Sequence, residues 1–412
     1  MASVPSNQGV LTVTFRFRGL AALAAVALLF AVALPPAQAG IGDSLKKKVQ
    51  KKTEKKVDDT ADKALEDGEK AATGEEGEAA ETGAAATSEK SAGSAEKVSQ
   101  VSTKFDYVPG DMVKFFDDFT QDELGEFPVG WQLKEGTFEV AEREGQRWLR
   151  CTSITGDVRM KLPAMTALPE YWTLEFDFIC PEPSGNVLTV AALNGNTEVW
   201  NTVFPYSGTA LAFTTGDIFS NTPVEGGTVW GKVHHVMFMA RGTGMKVYVN
   251  RQRLASVPEI NAAAGAPTTL SIRLWSDKEP MITNVRFAEG NKPVADPFAD
   301  GKLVTYGIYF ESGSDVVQPE SAPVLRTIAG YLEKKPDVRV QIVGHTDNQG
   351  KPAENLDLSK RRAAAVAKVL SEQFKIAADR FTTDGMGDTK TVADNAKPEG
   401  RAMNRRVEFT KL

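Results

Sequence analysis

Residues 338–374 read VRVQIVGHTDNQGKPAENLDLSKRRAAAVAKVLSEQF. The opening VRVQIVG alternates β-branched and polar side chains and predicts a strand. The closing SKRRAAAVAKVLSEQF predicts a helix, and Leu358-Ser359 reads as its N-cap, because a serine hydroxyl can accept from a free amide of the first turn. Asp347 sits at the mouth of the strand, and Arg362 lies fifteen residues on, one turn into the expected helix. If strand end and helix start are neighbours, the acid and the arginine face one pocket. A guanidinium fork matches a carboxylate bidentately and an aspartate matches an ammonium, so the pair fits the two charges of an amino acid. The same residues also fit a salt bridge that merely ties loop to helix, and spacing does not choose between the two.

Working outward, LVTYGIYF (303–310) predicts a strand and PESAPVLRTIAGYLEKKP a helix opened by Pro319 and closed near Pro336. RFTTDGMG and RRVEFTKL supply two more strands. The order βαβαββ over residues 304–412 gives a sheet with helices on one face, an α/β sandwich.

The stretches GHTDNQGKPAENLDLSKRRAAAV and VADNAKPEGRAMNRRVEF resemble the OmpA-like peptidoglycan-binding domain of outer-membrane, lipoprotein and flagellar-stator proteins. The resemblance runs over essentially all of 304–412. It implies that Asp347, the Asp of a Thr-Asp pair, holds the ammonium of wall diaminopimelate. It likewise implies that Arg362, the Arg of Leu-Ser-x-x-Arg, holds the carboxylate. Thr346, Asn355 of Asn-x-x-Leu-Ser and Arg405 of Asn-Arg-Arg match supporting contacts, and Ser312 and Gly313 stand where the family uses the loop after the first strand. Gly313 departs from the polar side chain common there, which leaves these two as backbone contacts at most. His345 has no triad partner and reads as a loop-positioning residue. Lys360, Arg361, Arg401 and Arg406 read as solvated charges or contacts to wall carboxylates. No activated nucleophile, phosphate cradle, calcium loop or metal-ligand spacing is present, so neither catalysis nor a cofactor is expected.

Residues 105–290 change to short alternating runs between Gly, Pro and Asn. In YWTLEFDFIC (171–180) Leu174, Phe176 and Phe178 share one face, and Glu175 and Asp177 the other. HHVMFMA, MKVYVNRQRL, TLSIRLW and ITNVRFA repeat the pattern, which predicts an antiparallel two-sheet sandwich. GEFPVGW and VYVNRQRLASVP resemble concanavalin- and laminin-G-like jelly rolls, which implies a glycan or an envelope protein as the ligand of a concave face. Glu175 and Asp177 could form a glycosidase pair, but the alternation accounts for them as solvent-face polarity. His234 and His235 are adjacent and must point to opposite faces. Trp131, Trp172, Trp200, Trp230 and Trp275 suit either sugar stacking or the core, and large aromatics are more often core. An eight-stranded outer-membrane barrel is the rival architecture, opposed by runs too short and too often broken by proline and charge to span.

The chain opens with Arg16 and Arg18, an apolar run Leu20–Leu34 and the small-residue exit Ala37-Gln38-Ala39. This predicts a secretory signal peptide over residues 1–39, the apolar run being short for a membrane span. No cysteine sits near the exit, so no lipid anchor is expected there. Residues 40–104 are charged and small and predict a disordered tether, with a fraying helix at Leu45, Val49, Val57, Ala61 and Leu65 preferred to a coiled coil. NKPVADPFADGK opens a second linker, 291–303. The net charge of −6 gives no reason to expect a nucleic-acid partner. Cys151 and Cys180 are the two cysteines, each on the parity of apolar neighbours, and fit a disulfide or two buried thiols equally. The sum is an exported, periplasmic, wall-associated adaptor at the inner face of the outer membrane. A wall-targeted glycan hydrolase and an integral outer-membrane barrel are the alternatives.

Overall fold

The computed structural model describes residues 104–412 except 164–166, 207, 208, 228, 261 and 291–295, together with Val98 and Ser102. The expected leader and nearly all of the charged tether lie outside the described residues. The strands in chain order are β1 (Met112–Asp117), β2 (Trp131–Glu135), β3 (Phe138–Arg143), β4 (Gln146–Cys151) and β5 (Thr155–Met160). Then come β6 (Tyr171–Ile179), β7 (Leu188–Asn194), β8 (Thr197–Tyr206), β9 (Ala210–Thr215) and β10 (Ile218–Pro223). β11 (His234–Arg241), β12 (Gly244–Val249), β13 (Gln252–Val257), β14 (Thr269–Trp275) and β15 (Met281–Glu289) complete the first half.

These strands form two open antiparallel sheets. One runs β13-β12-β11-β6-β15-β4-β3 with β1 also on β15; the other runs β10-β9-β8-β7-β14-β5-β2. The result is a sandwich with free edges rather than a closed barrel. Alternation decides which side chains enter it. Trp172, Leu174, Phe176 and Phe178 of β6 are buried between the sheets with Trp200, Phe213 and Phe238. Trp200 stacks on Trp172 at 6.2 Å, on Phe213 at 6.0 Å and on Phe238 at 5.8 Å. Each such pair adds about 0.5–1.5 kcal/mol beyond its area burial. Trp131 is also core and Trp230 packs on its margin, whereas Trp275 is 47% exposed. His234 and His235 do face opposite ways: His234 lies edge-on to Phe204 inside, and His235 reaches Asp177 and Glu175 outside. Both cysteines are buried free thiols, each held by a backbone carbonyl two residues on, and burial pushes both pKa values up.

The C-terminal half contains β16 (Lys302–Thr305), α1 (Ala322–Lys334), β17 (Val340–Gly344), α2 (Pro352–Glu372), β18 (Phe381–Gly385), α3 (Pro398–Asn404) and β19 (Val407–Lys411). Its sheet order is β16-β19-β17-β18, with β17 and β18 parallel and β19 antiparallel to its neighbours. Leu325, Ile328 and Leu332 of α1 and Ala363, Val366 and Leu370 of α2 recur at helical spacing and bury against Val340, Ile342, Val407 and Phe409. Among the described residues no helix is long and apolar enough to cross a membrane, which leaves membrane strands unaddressed.

Four details depart from the sequence expectation. The first strand ends at Thr305, and Phe310 makes only an isolated bridge to Val317. Beyond it the chain presses so close that a Cβ on Gly307 would lie 2.6 Å from Val324 and 2.9 Å from Pro109. The second helix begins at Pro352, seven residues before Ser359, with proline in its first turn and Glu354 beside it. A short helix, α3, also opened by a proline, stands between the last two strands, where none is expected. Phe298, in the stretch expected to be linker, is fully buried with its ring 4.9 Å from Tyr331.

The largest correction concerns Glu175 and Asp177, expected on a solvent face. Their face of β6 is covered by the C-terminal half and by the segment before β1. Glu175 accepts from Arg286 at 3.1 Å and from the Tyr309 hydroxyl at 2.9 Å. His235 bridges the two acids, 2.8 Å from Asp177 and 3.3 Å from Glu175, and Asn284 donates to Asp177 at 2.7 Å. Arg286 also donates to the Gly110 carbonyl at 2.7 Å. Alternation correctly puts these side chains off the sandwich core, but Glu175 is covered by a residue of the second domain, Tyr309, whereas Asp177 stays partly exposed as expected.

Burial opposes charge on His235, yet its hydrogen bonds to Asp177 and Glu175 prevail and push its pKa from 6.5 up to about 10. A raised folded pKa means that the stabilisation is whole below 6.5 and is lost as pH rises through about 10. Denaturation midpoints are therefore expected to fall across that interval in the wild type and to stay level in His235→Gln. A level wild-type profile would count against the bridging imidazolium.

Candidate functional site

The site is built where α2 crosses the ends of β17 and β18. A Cβ on Gly344 would stand 2.3 Å from the Ser359 carbonyl oxygen, and one on Gly385 2.3 Å from the Lys360 amide. Only glycine permits this approach, and it seats the helix against the strand mouths. Ser359 is therefore not an N-cap: it lies inside α2, donating to the Leu356 carbonyl at 2.8 Å and accepting from the Gly387 amide at 2.9 Å. Ser359→Ala should cost about 1–3 kcal/mol by leaving the Gly387 amide buried and unpaired, read from denaturant midpoints. An unchanged midpoint would show that the amide finds another partner. Arg362 consequently sits about three turns into the helix, not one.

Asp347 is buried at the mouth of β17. Its Oδ1 accepts from the Gln349 amide at 3.0 Å, and its Oδ2 accepts from Arg405 at 2.5 Å. The aspartate's ion-pair partner is thus Arg405, and the simple Asp347–Arg362 bridge does not form. Arg362 is half-buried, spends only its Nε on the Ser314 carbonyl at 2.9 Å, and lies 4.7 Å over the Phe310 ring. No carboxylate comes within ion-pair distance of its fork among the described residues. Burial and the neighbouring Arg405 charge lower its pKa, partly offset by Asp347 and Asp315.

The other expected residues divide. Asn355 is buried and donates to the carbonyls of Asp347 at 3.3 Å and Gln349 at 2.9 Å, so it shapes the loop. The Thr346 hydroxyl is buried without a partner among the described residues, and its amide donates to the Gly387 carbonyl. Ser312 and Gly313 are exposed, and Ser314 is the loop residue that meets Arg362. His345 is buried with its Nε2 3.6 Å from Glu408; burial and the Arg406 charge push its pKa down to about 4, so it is neutral. Arg401 and Arg406 are not solvated. Arg401 is buried and donates to the Asn395 carbonyl, and Arg406 is buried and pairs with Glu408 at 2.8 Å. Lys360 and Arg361 are exposed as expected, Arg361 pairing with Asp357. No group of three or more His, Cys, Asp or Glu with metal-holding geometry exists among the described residues.

The arrangement offers a half-buried, uncommitted cation beside a buried carboxylate whose own cation lies to one side. It can take up a small anion-bearing group with an ammonium nearby.

The C-terminal half has known relatives by sequence. The family model for the OmpA family matches residues 309–405. The chain is 34% identical to peptidoglycan-binding protein ArfA of Mycobacterium bovis over 40% of its own length and 53% of that protein's. It is 39% identical to outer membrane porin F of Pseudomonas fluorescens over 27% and 34% of the two chains. It therefore spans roughly a third to a half of these curated relatives. Among solved structures, the cell wall anchor of the T6SS from Pseudomonas aeruginosa is 40% identical, with a TM-score of 0.25, over 27% of this chain and 80% of that one. By sequence, residues 309–405 belong to the OmpA family.

Proposed function

We propose that the C-terminal domain binds peptidoglycan non-covalently by holding the zwitterionic end of diaminopimelate in a stem peptide. The carrying observation is the Arg362 fork, half-buried and without a carboxylate partner, beside the Asp347–Arg405 pair. A guanidinium in that state is partly desolvated and lacks a counter-charge, and a ligand carboxylate supplies the missing charge. Asp347, shared with Arg405, offers the ligand ammonium its counter-charge. The peptidoglycan-binding name of a 34%-identical relative supports the ligand class. Each stem peptide is a weak ligand, but the wall repeats the site many times, and effective concentration retains the protein.

The sandwich would then be an exported cargo fixed to the wall from the periplasmic side, at the inner face of the outer membrane. Its own ligand would be a glycan or an envelope protein. A hydrolase centred on Glu175 and Asp177 is disfavoured, because Glu175 is buried and engaged by Arg286, His235 and, from the other domain, Tyr309, while Asp177 is held by His235 and Asn284.

The full chain is expected to co-sediment with purified sacculi containing diaminopimelate and not with sacculi whose stem carries lysine, which lacks the second carboxylate. Equal retention on both would rule out recognition of that carboxylate.

A further inference from the structure

Arg405 lies under a ring that belongs to the other domain. Its guanidinium carbon is 4.9 Å from the centroid of Phe116, on β1 of the sandwich, while its NH1 donates to Asp347 at 2.5 Å. The contact is built in: Ala402 and Met403 at the end of α3 pack with Val113 and Phe116 of β1 in a small apolar cluster of their own. The Arg405 side chain is about one-third exposed (35%), so the carboxylate alone would leave it many conformers. With an aromatic face on one side and a carboxylate on the other, one conformer is favoured. The second arginine of the site is treated alike, Arg362 lying over Phe310, but that ring comes from the C-terminal domain itself.

We infer that Phe116 is a positioning residue for the wall-binding site, so that the docked sandwich completes a site the C-terminal domain does not finish alone. The inference rests on the zwitterion-recognition reading above and extends it to a residue of the other domain. Phe116 holds Arg405 against Asp347, which fixes the aspartate's orientation and keeps the second cation clear of the position a ligand carboxylate takes at Arg362. Affinity for the stem peptide then depends on a ring outside the OmpA-family segment.

The test uses the full chain and a diaminopimelate-containing muropeptide, with affinity read by calorimetry. Phe116→Leu keeps the apolar contact and removes the π face, and should weaken binding about threefold to thirtyfold, the span of a cation–π contact. Phe116→Tyr should restore affinity to within about twofold, because the aromatic face returns. Val113→Ala, which thins the same α3–β1 packing without touching the ring, should lower the melting temperature and leave affinity unchanged. Wild-type affinity in Phe116→Leu, or an equal loss in Val113→Ala, overturns the positioning role. If the wild type binds no muropeptide, the recognition reading fails separately, and the Arg405 side-chain Nε–H resonance still decides the contact. That signal should carry a ring-current shift in the wild type and in Phe116→Tyr, and lose it in Phe116→Leu. An unmoved signal overturns the inference.

Discussion

Arg362→Ala is expected to weaken binding of a diaminopimelate stem peptide by about 2–5 kcal/mol, since the ligand carboxylate would be left desolvated and unpaired. The loss should abolish co-sedimentation with sacculi, where the wild type is retained. Arg362→Lys should recover only part of it, because an ammonium cannot reproduce the planar fork. The fold should tolerate the change, for among the described residues Arg362 makes one hydrogen bond, to the Ser314 carbonyl, one ring contact, with Phe310, and no ion pair. Its burial even opposes its charge. Unchanged retention of Arg362→Ala on sacculi would remove the basis of the recognition reading.

Glu175→Ala is expected to destabilise the docked domains by about 3–5 kcal/mol, the range for breaking a buried ion pair from one side. It would leave Arg286 and the protonated His235 without their common acid and the Tyr309 hydroxyl without its acceptor. Burial works to raise the Glu175 pKa, but the bond from His235 and the Arg286 charge outweigh it and hold the carboxyl below its ordinary range. The loss should appear as a lower denaturant midpoint and faster proteolysis between the halves. A cycle with Arg286→Met should show strong non-additivity, since the two side chains share one network. A shift of less than about 1 kcal/mol in Glu175→Ala, the scale of an exposed pair, would mean that the network is effectively solvated.

Arg362 and Glu175 are unequally legible in the chain. Arg362 and its neighbour Asp347 stand in long motifs whose residue types declare their chemistry, so the amino-acid order suffices to name both. Glu175 shows only its parity on a strand, which says nothing of the network that holds it. Arg405 stands in a motif as well, but its role is not written there. Its two partners, Asp347 and Phe116, lie 58 and 289 positions away in the chain, beyond any local pattern. Ser359 imitates an N-cap because a serine before an apolar helical run has that form. The proline at 352 is the stronger signal, supported by Glu354 in the first turn. The same proline signature at 398 marks the unexpected helix α3. Residue type alone makes Arg401 and Arg406 read as surface charges, whereas both are buried, Arg401 on the Asn395 carbonyl and Arg406 on Glu408 and backbone carbonyls.

Strand alternation, helical spacing and the acid–arginine motifs determined from sequence that an antiparallel sandwich precedes an α/β domain, and which residues carry opposite charge at its strand mouth. Those are local properties, written in the period of side-chain direction along the backbone. Only the tertiary structure decided what covers the polar face of YWTLEFDFI and which arginine pairs with Asp347. It also decided whose ring lies over Arg405. A period reports the face a side chain is on; the occupant of the space beyond that face comes from a distant part of the chain, and only packing brings it there.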